Sequence, residues 1–119
     1  MKKIEYSMIV RKKLNLLRQE LSDKFGDNVS RKSVKKITDA VKGLVDFEKK
    51  GVLLSNMYDI DCDYRYLFVG QNYLFYRIEN KRILIVEMFN EREDFIQKLF
   101  GTGETLHENL FKYHTQSQK

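Results

Sequence analysis

The 119-residue chain has no proline, no tryptophan, one cysteine and two histidines. Without proline, no stiff linker or Pro-rich recognition segment is present, and nothing in the composition divides the chain. A single cysteine, Cys62, excludes an intrachain disulfide framework and suits a reducing compartment. The two histidines, His107 and His114, stand seven apart with no third ligand placed beside them, so no zinc site is expected. No metal or other cofactor is called for: Gly-rich phosphate loops, nucleophile elbows and paired carboxylates are all missing. Long apolar runs are missing too. The basic Met1-Lys2-Lys3 start is followed by Ile4-Glu5-Tyr6-Ser7 rather than an apolar stretch. Neither a signal peptide nor a membrane span is therefore expected, and the default location is the cytoplasm.

What is present is a charged, aromatic, one-domain chain. Hydrophobic residues make up 42% and charged residues 33%, with 7 Tyr and 8 Phe, enough for a core without staples. The net charge of +5 is uneven. Residues 1–50 carry 14 Lys/Arg against 7 Asp/Glu, and residues 51–119 carry 8 against 10. A basic half of this kind fits either a polyanion or acidic partner, or a pair of well-solvated helices.

Periodicity orders the elements. Lys3–Tyr6 reads as a first strand and Ser7 as an N-cap. Val10, Leu14, Leu17, Leu21 and Phe25 form one helical stripe, stopped at Gly26-Asp27-Asn28. A second helix starts near Asn28 or Ser30, buries Val34, Ile37, Val41, Leu44 and Val45, and is expected to run to Gly51. Arg31, Lys32, Lys35 and Lys36 crowd its first turns, against the macrodipole. A connector over 52–63 ends in Asp59, Asp61 and Asp63. It lacks the glycine and distal glutamate of a calcium loop, so the carboxylates belong beside cations or in water. Three strands follow: Tyr64–Val69, Tyr73–Glu79 and Arg82–Phe89. Ile83-Leu84-Ile85-Val86 makes the third the central strand. A short helix is expected over Asp94–Phe100. A terminal one is expected over Glu104–His114, whose Leu106, Leu110 and Tyr113 stripe packs on the sheet or on a second copy, so a homodimer is one expected partner state.

Alternation along the second of these strands puts Leu74, Tyr76 and Ile78 on a core face and Tyr73, Phe75 and Arg77 on the other. Arg65 and Arg92 are expected to converge there with Arg77. Such a face suits phosphate, through the planar guanidinium fork, and bases, through stacking on Tyr73 and Phe75. The competing expectation is that Arg77 and Arg92 pair with Glu87, Glu91 or Glu93.

These residues carry a resemblance. Ile4-Glu5-Tyr6-Ser7, the strand Asn72–Ile78, the apolar run Ile83–Val86 and the following Asn90-Glu91-Arg92-Glu93-Asp94-Phe95 resemble the RelE/ParE superfamily of bacterial type II toxins, over residues 3–100. The resemblance implies an α+β fold: an N-terminal strand, a helical hairpin packed on a small antiparallel-rich sheet, and short C-terminal helices. It implies a toxin domain over 1–101, a helical tail over 102–119, and a growth-arresting toxin neutralised by a cognate antitoxin. RelE-like members cleave messenger RNA in the ribosome without a metal, whereas ParE-like members poison DNA gyrase. In the first case Arg65, Arg77 and Arg92 are the catalytic candidates; in either case Arg65, Tyr73, Arg77, Arg92 and Lys98 are the target-binding candidates. Asn90, Phe95 and Tyr73 stand where a nuclease of this group carries acid, base or cation. The ParE-like reading is therefore preferred, ahead of the ribosome-dependent RNase and of a nontoxic homologue that only binds.

Overall fold

In a computed structural model the chain is described over residues 1–57 and 61–92. Strand β1 (Lys3–Tyr6) leads through Ser7 into helix α1 (Met8–Phe25), which is followed by helix α2 (Asp27–Lys42). A 3-10 turn, Gly43–Val45, a two-residue strand β2 (Val52–Leu53) and a helical turn, Leu54–Met57, connect α2 to β3 (Arg65–Val69), β4 (Asn72–Ile78) and β5 (Arg82–Asn90). The sheet order is β1-β5-β4-β3-β2, with β1 parallel to β5 and the other pairs antiparallel. The fold class expected from the sequence is the one found, and the expected C-terminal helices lie outside the described residues.

Ser7 makes the first junction. Its hydroxyl accepts from the Val10 N–H at 3.2 Å, capping α1, and donates to the Val86 carbonyl at 3.0 Å. Its own N–H donates to the Ile85 carbonyl at 2.9 Å. One residue thus ends β1, starts α1 and fixes both to β5. Gly26 makes the second junction. Its φ of 93° and ψ of 165° form a conformation nearly reserved for glycine, and the reversal lets Ser30 donate to the Arg18 carbonyl at 2.6 Å across the hairpin.

The sheet is apolar on both faces. Toward the helices, Leu67, Leu74, Tyr76, Ile83, Ile85 and Met88 meet Val10, Ile37, Val41 and Leu44. On the outer face, Phe75, Val86 and Phe89 pack with Leu54 and Tyr64. The continuous run in β5 is explained: it lies between β1 and β4 and is covered on both sides. A bulge opposite Phe75–Tyr76 lets both Ile85 and Met88 face the helices.

Two boundaries differ from expectation. α2 ends at Lys42 rather than near Gly51, because Gly43 begins the tighter 3-10 turn that buries Leu44. Phe25, placed at the end of the α1 stripe, is exposed, since it stands at the hairpin tip where Gly26 reverses the chain.

The β3–β4 turn makes a testable case. Gly70 and Gln71 both have positive φ, 53° and 69°, which matches the twist of a two-residue hairpin. A glutamine in that region costs about 1 kcal/mol that glycine does not. Gln71→Gly is expected to raise stability by roughly 0.5 kcal/mol once the added chain entropy is counted. A higher denaturation midpoint at unchanged slope is the readout.

Candidate functional site

The three arginines do not form one cradle. Register pairs Arg65 with Tyr76 and Tyr66 with Phe75, so Arg65 shares the helix-side face with Tyr76. Arg77 follows Tyr76 and lies on the outer face. This corrects the expected convergence: alternation places the two on opposite sides of the sheet. Arg65 is also occupied. Its Nη1 donates to the Gly51 carbonyl at 2.9 Å and the Lys49 carbonyl at 3.3 Å. The Tyr76 hydroxyl holds the same loop, donating to the Glu48 carbonyl at 2.7 Å and accepting from the Gly51 N–H at 2.8 Å. Burial pushes the Tyr76 phenol pKa up, so it stays a donor.

Arg77 is built into the outer cluster. Its side chain is 13% exposed and its Nε lies 3.4 Å from Asp63 Oδ2. Its Nε and Nη1 are buried with no hydrogen-bond partner. Among the described residues the partner is Asp63 rather than the expected Glu87 or Glu91; Glu87 pairs with Lys13 at 2.8 Å, and Glu93 lies outside the described residues. The acidic end of the connector does stand beside a cation, through Asp63. Arg92 is exposed just past β5, its N–H donating to Asn90 Oδ1 at 2.9 Å. Lys98, Phe95, His107 and His114 lie outside the described residues, as does the 102–119 tail.

The aromatics divide in the same way. Phe75 is 1% exposed, which removes it as a stacking platform. Tyr73 is half-buried on the outer face, its ring 4.8 Å from Phe68 and 5.4 Å from Tyr66. Phe68, 51% exposed, is the aromatic the sequence reading missed. Its place opposite Tyr73 follows from the alternation of Tyr66 and Phe68, once β3 is paired to β4. Cys62 is half-buried beside this cluster and burial pushes its thiol pKa up, against reactivity.

A second surface lies on the hairpin. Helices α1 and α2 carry ten Lys/Arg against four Asp/Glu. Arg11, Lys12, Arg18, Lys32, Lys36 and Lys42 are exposed and form no ion pair among the described residues. Met8, Ile9, Leu16 and Val29 are exposed among them. At the opposite end of the sheet, Arg82 is neutralised by Glu5 at 2.6 Å and Glu79 at 2.5 Å. Among the described residues no group of three His, Cys, Asp or Glu is arranged to hold a metal, and no helix is long and apolar enough to cross a membrane.

This arrangement defines an α+β domain in which an N-terminal strand and a helical hairpin pack on a five-stranded sheet. A solved chain described as the chromosomal ParDE TA (toxin–antitoxin) system from P. aeruginosa superposes on it with a TM-score of 0.63, at 17% identity, over 76% of this chain and 96% of that chain. At that identity the likeness shows the fold. No family model matches the sequence, and no curated protein matches it.

Proposed function

We propose that this chain is the toxin of a type II toxin–antitoxin pair, ParE-like, acting on DNA gyrase in the cytoplasm and held inactive by an acidic antitoxin. The observation that carries the reading against a nuclease is the placement of Arg65 and Arg77. One is hydrogen-bonded to the loop carbonyls on the helix side, the other is buried against Asp63 on the outer side. Cleavage by a ribose 2′-OH needs a base, a proton donor and cations gathered on one phosphate, and two of the three arginines are committed elsewhere. Arg92, Tyr73 and Phe68 are then the target-contacting side chains, with Lys98 as an added cation. The likeness to a ParDE chain supports the same branch. The antitoxin is supported by the hairpin, whose unpaired cations and exposed Ile9 and Leu16 suit an acidic amphipathic segment.

Brief expression is expected to arrest growth, leave messenger RNA ends unchanged and trap gyrase on broken DNA. Codon-phased cuts that vanish in Arg92→Ala would replace this reading with the ribosome-dependent RNase. No growth defect at all would leave a binding-only homologue.

A further inference from the structure

The start of β1 and the β4–β5 turn meet at the end of the sheet away from Ser7. Lys3 pairs with Arg82 in the parallel register, and the Lys3 N–H donates to the Lys81 carbonyl at 3.1 Å. These bonds hold the two segments around a cleft of about 800 Å³, lined by Lys2, Lys3, Lys81 and Arg82 and by two carboxylates, Glu5 and Glu79. The charges do not cancel locally. Arg82 takes both carboxylates, Glu5 at 2.6 Å and Glu79 at 2.5 Å. Glu48, outside the cleft, takes Lys2 at 2.9 Å. Lys3 and Lys81 are exposed and form no ion pair among the described residues. One arginine thus uses up the negative charge of the cleft and leaves the two lysines beside it uncompensated. A concave surface with uncompensated charge of one sign focuses the field and gathers counter-ions. The loop over 46–51 continues the same charge. The Lys2–Glu48 pair ties it to the start of β1, and the next residues, Lys49 and Lys50, are exposed and form no ion pair among the described residues. Arg65 and the Tyr76 hydroxyl hold this loop, so both lysines stand on a fixed backbone.

We propose that this cleft binds a linear chain of linked phosphates, either free polyphosphate or the phosphate tail of a nucleotide. Lys3 and Lys81 meet the first phosphates. Lys49 and Lys50 meet a longer chain as it passes Glu48. Lysine suits such a ligand: its ammonium is a point charge on a flexible stem and approaches a phosphate oxygen from any direction. A chain with oxygens on every side needs that freedom. A protein partner fits less well. Lysine is depleted at protein interfaces, and among the described residues Met1 is the one apolar side chain in the lining. The cleft uses none of the side chains assigned to the target, and the proposal does not rest on the toxin reading.

The test titrates the isotopically labelled full chain at low ionic strength with inorganic tripolyphosphate, a longer polyphosphate and ATP, with citrate as a compact anionic control. Tripolyphosphate is expected to shift the amides of Lys3, Lys81 and Arg82 and to bind severalfold more tightly than citrate. The longer polyphosphate is expected to bind more tightly still and to shift Lys49 and Lys50 as well. Replacing both exposed lysines, Lys3→Gln with Lys81→Gln, is expected to weaken tripolyphosphate about fivefold while the amide spectrum away from the cleft stays that of wild type. ATP that binds no more tightly than tripolyphosphate assigns the site to the phosphate chain alone. Tighter ATP binding with further shifts assigns it to a nucleotide; both results support the proposal. It is overturned if the Lys3, Lys81 and Arg82 amides do not move, if the shifts fall on the cations of α1 and α2 instead, or if citrate binds as tightly. It is equally overturned if the double variant binds like wild type or if lengthening the chain gains nothing. A single-stranded oligonucleotide that binds these amides more tightly than polyphosphate of equal charge would also overturn it, in favour of a nucleic-acid surface.

Discussion

Gly51→Ala is expected to be among the most damaging single substitutions in this fold, costing about 3 kcal/mol or more. Gly51 is buried just before β2, against the Tyr76 side chain and the β3 backbone. A methyl group there would lie 2.6 Å from Tyr76 Cε1 and hydroxyl, and 2.7 Å from the Tyr66 carbonyl. None of these can give way cheaply. The Tyr76 side chain is 0% exposed, and the Tyr66 carbonyl belongs to a paired strand. Relieving the clash means moving the loop, which breaks the Gly51 N–H bond to the Tyr76 hydroxyl and the Arg65 bond to the Gly51 carbonyl. Overpacking of a core costs about 1–3 kcal/mol, and each lost hydrogen bond in a buried place about 1 kcal/mol more. Tyr76→Phe separates the two contributions. It removes the hydroxyl's two bonds without adding volume and is expected to cost about 2 kcal/mol. Urea denaturation of the three proteins reads both differences. An alanine variant within about 1 kcal/mol of wild type would mean the loop is not held as described.

The same loop shows what the sequence made legible. The elements, their order and the core stripes follow from periodicity, because burying one face of each helix and both faces of β5 forces the pattern. Ser7 and Gly26 announce the junctions through their own chemistry. The end of α2 was not legible: residues 43–50 contain no proline, and Gly43 keeps right-handed helical torsions, so it marks no reversal of the chain. The site was legible in its residue types but not in its geometry. Arg65 and Arg77 both look like free strand cations until register is known. Only the pairing of Arg65 with Tyr76 shows that they face opposite ways. Register is a long-range property, set by which strand lies beside which. The partner of Arg77 was hidden likewise, because Asp63 precedes β3 and meets β4 only through the hairpin. Nothing in the sequence of α1 singles out Lys13, because its meeting with Glu87 and the Met88 carbonyl depends on how α1 is laid on β5.

Arg77→Met is expected to leave the protein as stable as wild type or make it more stable, by about 1 kcal/mol, and, on the toxin reading proposed above, to leave growth arrest intact. The sign follows from burial. The Arg77 side chain is 13% exposed, yet two of its N–H groups lack hydrogen-bond partners and its carboxylate neighbour stands at 3.4 Å, too distant to compensate a desolvated guanidinium fully. A methionine of similar reach fills the space among Tyr64, Phe75 and their neighbours without that penalty. Removing the other member has the opposite sign. Asp63→Asn leaves the guanidinium buried with no countercharge among the described residues and is expected to destabilise by about 1–2 kcal/mol, moderated because Asp63 is half exposed. Toxicity gives the second readout. If Arg77 contacts phosphate in a cleavage reaction, Arg77→Met abolishes growth arrest in a fully folded protein, and the nuclease reading returns with Arg77 at its centre. If arrest survives Arg77→Met but not Arg92→Ala, the buried arginine belongs to the scaffold and the exposed one to the target.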